Sequence, residues 1–266
     1  MYTHMDIALG VVFVLFGLMV GSFLNVVIDR LPAEQSLAYP PSHCPSCNKR
    51  LAAKDLIPVL SYTLLKGRCR YCGERIPIRL PLVEAATGIA FGLLFAYFSL
   101  SPELAIVLFY FCLLLVIAVI DLEQKIIMPL IILPAILLAI VFSLLLPHSS
   151  VISQIKFAAI GGAIGFGVML LIYVFAFIRY HGDNAFGFGD VYLGALMGVI
   201  LGYPKVIVGI LLAIYIGGIA AILLIASRAK TLKQIIAFGP ILIIGTSIAF
   251  IWGAYIWDWY INIFKF

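Results

Sequence analysis

The chain has 266 residues, of which 64% are hydrophobic and 11% are charged, and its formal net charge is +5. A soluble globular domain has an apolar share nearer one half, so this composition excludes that class. A helix needs about 20 apolar residues to cross a hydrocarbon core of about 30 Å, and the chain contains several apolar runs of this kind. We therefore predict an all-α polytopic membrane protein.

The apolar runs predict about eight transmembrane helices. The first run lacks a basic flank and is too long for the core of a signal peptide, so we expect it to be retained. The sixth run is short for a membrane crossing. The predicted spans are 7–28, 82–100, 103–120, 126–146, 155–178, 190–202, 205–226 and 239–261.

The basic residues orient these spans. With the N-terminus outside, 14 of the 17 Lys and Arg residues fall in cytoplasmic segments, and Lys156, Lys205 and Lys265 remain outside. Cytoplasmic loops of membrane proteins carry such an excess of Lys and Arg. Because orientation already accounts for these residues, we predict no binding of nucleic acid.

Small and polar residues predict close helix packing in two of the spans. Near the end of the first span, Gly21 allows close approach and Asn25 can hydrogen-bond across a helix interface. In the fifth span, a glycine stripe suits a close crossing or one mobile helix. Its members are Gly161, Gly162, Gly165 and Gly167.

Glu84 lies at the start of the second span, directly after a long polar segment. A carboxylate there can form an ion pair with Arg75 or Arg79, or it can face a bound ligand. We expect the ion pair.

The polar segment, residues 30–79, contains two CxxC pairs separated by 21 residues. Two such pairs can build a tetrahedral zinc site from four cysteine thiolates with no open position for water, which is a structural site. The alternative of disulfides or free thiols is disfavoured by a cytoplasmic location. In a module this small, the metal would supply much of the folding free energy. The predicted ligands are Cys44, Cys47, Cys69 and Cys72.

Two aspartates lie at predicted helix ends on the cytoplasmic side. Asp121 ends the third span, and Asp190 begins the sixth after Gly187 and Gly189. A pair of close carboxyl groups can share one proton and act as acid and base, and the glycines leave room for a substrate backbone. The alternatives are that Asp190 is a helix cap and that Glu123 is a rival carboxylate.

Five motifs stand in the order typical of type IV prepilin peptidases, which the chain resembles over nearly its whole length. These bacterial enzymes are bifunctional membrane aspartic proteases of the GxGD kind. The resemblance implies cleavage of the basic cytoplasmic leader of type IV prepilins and pseudopilins after a glycine. It also implies methylation of the new N-terminal residue, usually Phe, with S-adenosyl-L-methionine. The motifs are GSFLNVVIDRLP, CPSC with LKGRCRYC and RLPLVE, IDLEQKII, GFGDV and FGP.

The resemblance also implies roles for residues and segments. Asp121 and Asp190 stand at the two catalytic aspartates, and the four cysteines stand at the zinc knuckles. The expected organisation is a first transmembrane helix (1–29), a methylation-associated zinc module (30–81) and a seven-helix peptidase region (82–266). The expected location is the bacterial inner membrane with the active site facing the cytoplasm, and the expected partners are prepilins, pseudopilins and membrane lipid.

The sequence departs from the family pattern at Met128-Pro129, where Pro-Asp or Pro-Asn is usual, and at Tyr192, where Lys is common. Two alternatives stay open. One is a peptidase without methyl transfer, since no Gly-rich methyl-donor motif is present. The other is a transporter whose Asp121 and Asp190 bind ions, although the chain shows no clear internal repeat and both aspartates are expected near one membrane face.

Overall fold

The computed structural model describes residues 4–145, 151–179, 187–226 and 237–263. These residues form helices joined by turns, and the described part contains no strand beyond two isolated β-bridges. A helix lies at each of the eight predicted spans, with ends within four residues of the prediction. The helices are α1 (His4–Arg30), the one-turn α2 (Leu60–Leu64), α3 (Arg79–Phe98), α4 (Pro102–Gln124), α5 (Pro129–Leu145), α6 (Val151–Arg179), α7 (Phe188–Leu201), α8 (Lys205–Ala226) and α9 (Gly239–Ile263).

Within the described part of the chain, six helices are long and apolar enough to cross a membrane, judged by length and composition: α1, α3, α4, α6, α8 and α9. Helices α5 and α7 are apolar but have only 17 and 14 residues. Fourteen helical residues span about 21 Å, which is less than the hydrocarbon core. The chain is an integral membrane protein, and the number of eight membrane crossings stays a prediction. The predicted cytoplasmic connections at 179–190 and 227–238 lie largely outside the described residues.

The chain divides into two compact units, Met1–Val116 and Ile117–Phe266, and the division falls within α4. In the first unit, α1 packs along α3. In the second unit, α7 contacts α5, α6, α8 and α9, and nine of its 14 residues are buried. Helix α7 is therefore the central helix of the second unit.

Close approach of α1 and α3 depends on a glycine and an amide. A Cβ atom on Gly21 would lie 2.7 Å from the Cα atom of Glu84, so only glycine fits there. Asn25 is 4% exposed, and its side-chain nitrogen donates a hydrogen bond of 3.0 Å to the Leu80 carbonyl. The predicted packing roles of Gly21 and Asn25 are confirmed.

Glu84 is bound by the polar segment and not by an arginine. Its Oε2 atom accepts a hydrogen bond of 2.7 Å from the backbone N–H of Val59, while Arg79 pairs with Asp29 at 2.6 Å. The prediction that Glu84 pairs with Arg75 or Arg79 is therefore wrong. The reason is that the polar segment folds back along α3 and brings a backbone donor to the carboxylate.

Helices α6 and α7 cross with their backbones in contact. A Cβ atom on Gly165 would clash with the carbonyl oxygen of Gly194, and one on Gly161 would clash with that of Gly198. Small residues allow such close contact between apolar helices. The predicted close crossing is confirmed for three of the four glycines in the stripe, whereas Gly167 faces open space.

Replacing Gly165 with alanine should force α6 away from α7 and destabilise the fold. Because the obstacle is backbone and not a flexible side chain, we expect a loss of about 1–3 kcal/mol, typical of overpacking. Thermal unfolding in detergent measures the effect. The matched control is Gly167→Ala, which should be neutral or stabilising by about 0.5–1 kcal/mol, since alanine favours helices. Equal unfolding temperatures for the two variants would contradict the described crossing.

Candidate functional site

Asp121 lies in the last turn of α4 and is only 5% exposed. The helix ends directly after it, because Lys125 adopts a left-handed conformation (φ 55°) and its N–H bonds the Asp121 carbonyl at 2.9 Å. Left-handed residues commonly terminate helices. Pro129 then starts α5, at a position that proline favours. Asp121 is thus held at a buried, sharply terminated helix end.

Asp190 lies in the first turn of α7 and is 7% exposed. The N-cap of this helix is Gly187, whose carbonyl accepts the N–H of Asp190 at 3.1 Å. The alternative that Asp190 is the capping residue is therefore wrong. Its buried Oδ1 atom has no hydrogen-bond partner among the described residues. Such an atom costs about 1–3 kcal/mol, so the side chain does not serve stability alone.

Ile127 brings the two aspartate segments together. A Cβ atom on Gly189 would lie 2.5 Å from Ile127 Cβ, and a Cβ atom on Gly239 would lie 3.3 Å from Ile127 Cδ1. Gly239, the first residue of α9, also donates its backbone N–H to Asp121 Oδ2 at 3.1 Å. Asp121 and Asp190 lie at the ends of α4 and α7 that these contacts join. The structure therefore brings together the segments that carry the two aspartates.

Two buried carboxyl groups in one site can perform acid–base chemistry. Like charges at short range in a low-dielectric interior do not both form readily, so a pair of this kind shares a proton. The ionised member can take a proton from a water molecule, and the protonated member can donate one to a carbonyl oxygen or a leaving amine. The arrangement is suited to hydrolysis of a peptide bond.

The four cysteines of the polar segment converge on one point. Their Sγ atoms all lie within 4.8 Å of one another, and those of Cys44 and Cys72 are 3.8 Å apart. Four Zn–S bonds of about 2.3 Å in a tetrahedron separate the sulfur atoms by about 3.8 Å. The four residues thus fit a zinc ion. The structure joins none of them in a disulfide, and the zinc ion stays a prediction.

The two CxxC pairs form turns of the same kind. In each, the N–H of the first cysteine bonds the carbonyl five residues later, at 3.0 Å for Cys44 and 2.8 Å for Cys69. The residue after each second cysteine has a positive φ, 55° for Asn48 and 74° for Gly73, and these residue types tolerate that conformation. The backbone N–H of Cys47 lowers the pKa of the Cys44 thiol to about 6, because it stabilises the thiolate, the form that binds metals.

Asp55 connects the segment between the two CxxC turns to the second CxxC turn. It accepts hydrogen bonds from Arg70 at 2.6 Å and from the Tyr71 hydroxyl at 3.3 Å. The Arg70 guanidinium lowers the pKa of Asp55, so the ion pair is formed at neutral pH. Between residues 31 and 78, all of them described, the only buried hydrophobic residues are Cys44 and Cys69. The module therefore has almost no apolar core besides its cysteines.

Comparison with known protein families decides the assignment of the chain. Residues 15–98 match the bacterial peptidase A24 N-terminal domain, and residues 108–222 match the type IV leader peptidase family. The chain belongs to the type IV leader peptidase family. It is 34% identical to the prepilin leader peptidase/N-methyltransferase of Aeromonas salmonicida (strain A449), over 93% of this chain and 92% of that protein.

Other relatives of the chain bear the same name. The protein of Dickeya chrysanthemi is 33% identical over 85% of this chain and 86% of its own length. The protein of Myxococcus xanthus (strain DK1622) is 36% identical over 80% of this chain and 62% of its own length. No solved structure matches the chain.

Two residues of the candidate leader peptidase site were not singled out by the sequence. Gly239 belongs to the FGP motif, which indicated only a helix entry and a family resemblance, although a motif glycine beside a span was a usable signal. Ile127 lies in the IDLEQKII motif as one apolar residue among several. Neither its residue type nor its position in the motif indicates that it contacts both Gly189 and Gly239.

Replacing Gly239 with alanine should lower kcat for leader cleavage by about 10²-fold, the size expected when a catalytic group is misplaced by about 1 Å. The new Cβ atom would lie 2.5 Å from Asp121 Oδ2 and displace that carboxyl group. We expect KM to change less than kcat and the pH–rate profile to change, which general destabilisation would not produce. The control is Gly218→Ala in α8, where a Cβ atom meets nothing within 4 Å. Wild-type kinetics for Gly239→Ala would contradict the positioning role.

Proposed function

We propose that this chain is a prepilin leader peptidase and N-methyltransferase. It cleaves the basic leader of type IV prepilins and pseudopilins after a glycine, with Asp121 and Asp190 as the catalytic pair. The observation that carries this proposal is that the segments of these two buried carboxyl groups meet at Ile127 and Gly239, in a member of the leader peptidase family. The names of the relatives support the substrate class.

In the proposed reaction, one aspartate acts as general base toward water and the other as general acid toward the scissile peptide. The N–H of Gly239 holds Asp121 Oδ2 in place, and the Oδ1 atom of Asp190 is left for water or substrate. Gly187 and Gly189 carry no side chain, so an extended substrate backbone can approach the start of α7. Family membership argues against the transporter alternative.

The remaining assignments complete the proposal. The chain crosses the bacterial inner membrane about eight times, with the N-terminus outside and the active site facing the cytoplasm. Segment 1–29 is the first transmembrane helix, 30–81 is the zinc module and 82–266 is the peptidase region. In the module, Cys44, Cys47, Cys69 and Cys72 hold a structural zinc ion.

Methyl transfer is proposed from the names of the relatives. S-adenosylmethionine would supply the methyl group to the N-terminal amine that cleavage exposes. Among the described residues, none forms a site that can be matched to this donor, so no residue is assigned to it. A peptidase without methyl transfer is the second candidate function.

The test is to incubate purified protein in lipid nanodiscs with a prepilin and methyl-labelled S-adenosylmethionine. Leader removal is measured by gel shift and mass spectrometry, and label transfer is measured on the same product. Cleavage with labelling supports both activities. Cleavage without labelling reduces the proposal to a peptidase, and a folded protein that does not cleave overturns it.

A further inference from the structure

The polar segment exposes an apolar surface outside the membrane-spanning helices. Leu60 and Leu64 are 51% and 72% exposed, and residues four apart lie on the same side of a helix. Ile57, just before α2, is 45% exposed. We refer to these three residues as the α2 face. Three large apolar side chains exposed within eight residues of a polar segment indicate an interaction surface.

A hydrogen bond fixes α2 beside the first turns of α3. Val59, the residue before α2, donates its N–H to Glu84 at 2.7 Å. Helix α3 has 20 residues and so spans about 30 Å, the thickness of the hydrocarbon core. Its first turn therefore marks a membrane boundary. Glu84 lies about 7 Å along the axis from that end, and interfacial helices insert their apolar side chains about 5–10 Å deep.

The segment that carries the α2 face is positively charged. Residues 30–79 contain nine Lys and Arg residues and only three Asp and Glu residues, a formal charge of +6. The formal charge of this segment stays positive when its four cysteines are counted as thiolates that bind a divalent metal ion. Lys54 and Lys66 flank the α2 face and are both exposed. Basic residues next to a membrane span attract anionic phospholipids.

We propose that the α2 face is an interfacial membrane anchor. Ile57, Leu60 and Leu64 insert at the boundary of headgroups and acyl chains in the bilayer that holds α1 and α3, and Lys54 and Lys66 bind anionic headgroups. A bilayer is the occupant that fits, because α3 spans it and the Val59–Glu84 hydrogen bond keeps α2 at its boundary. The anchor holds the polar segment, with its four cysteines, against the membrane surface.

The test uses the full chain in nanodiscs with one tryptophan at position 64 (Leu64→Trp), after Trp252, Trp257 and Trp259 are replaced by phenylalanine. Brominated phospholipids quench a tryptophan that touches acyl chains, and iodide quenches one in water. We expect lipid quenching of Leu64→Trp at least about twofold above that of Ser46→Trp, an exposed position between Cys44 and Cys47, and the reverse order with iodide. Zinc content and thermal unfolding show whether each variant is folded.

The charge contribution is tested by lipid composition. Adding phosphatidylglycerol to phosphatidylcholine nanodiscs should increase the lipid quenching of Leu64→Trp, and Lys54→Glu with Lys66→Glu should remove that increase. Iodide quenching of Leu64→Trp equal to that of Ser46→Trp in both lipids overturns the proposal. Shielding that occurs only after a prepilin is added assigns the surface to a protein partner and also overturns it. Lipid contact that is independent of lipid charge overturns the role of the lysines.

Discussion

Replacing either Asp121 or Asp190 with asparagine should lower leader cleavage by about 10³-fold or more, the loss expected when a member of a catalytic pair is removed. Asparagine has nearly the same shape as aspartate but neither takes up nor releases a proton. In Asp121→Asn, the side-chain oxygen can still accept the N–H of Gly239, so the local fold is kept. In Asp190→Asn, the helix start capped by Gly187 is unchanged. The measurement is single-turnover cleavage of a prepilin in nanodiscs.

The matched control is Glu123→Gln, since Glu123 lies two residues after Asp121 in the same helix but is exposed. This variant should cleave normally, because Glu123 is exposed and is not one of the two buried carboxyl groups. A second control is methylation of a pilin that already lacks its leader. That reaction should continue in both asparagine variants if methyl transfer uses a separate site. Normal cleavage by Asp121→Asn or Asp190→Asn would remove the aspartate pair from the mechanism.

The positions of the helices could be predicted because an apolar run is itself the physical requirement for a helix in lipid. The meeting of Asp121 and Asp190 could be anticipated for a related reason. The excess of Lys and Arg in the predicted cytoplasmic segments predicts that the third span ends and the sixth begins on the same side of the membrane. Helix α7 has only 14 residues, nine of them buried, so hydropathy identified the helix but not a length sufficient for a crossing.

The contacts that complete the aspartate site could not be predicted. Gly239 binds Asp121 through its backbone N–H across 118 positions of the chain, and a backbone donor leaves no sequence pattern. The same holds for Glu84, whose partner is the backbone of Val59 and not a nearby arginine. The cysteines were predictable because their spacing reflects a local turn, repeated at Cys44 and Cys69.

If the four cysteines hold the proposed zinc ion, chelation should unfold the polar segment around them and leave the membrane helices packed. Structural zinc contributes about 10 kcal/mol or more to small domains that bind it. Between residues 31 and 78, the only buried hydrophobic residues are Cys44 and Cys69, so no apolar core replaces that contribution. The ion pair of Asp55 and Arg70, in which the Asp55 side chain is 3% exposed and the Arg70 side chain 39% exposed, is a single contact and does not replace that contribution. We expect the chelated protein to be cut by trypsin within this module.

Replacing Cys47 or Cys72 with serine should have the same effect, with loss of bound zinc and of methylation before loss of leader cleavage. Cys112→Ser is the matched control, because Cys112 lies in α4 outside the cluster. The packing of α1 against α3 through Gly21 and Asn25 does not involve the module core, so the membrane helices should resist trypsin in every variant. Equal loss of cleavage and methylation on metal removal would instead mean that the peptidase also needs an intact module. A trypsin-resistant module without zinc would show that the four thiols do not hold a structural ion.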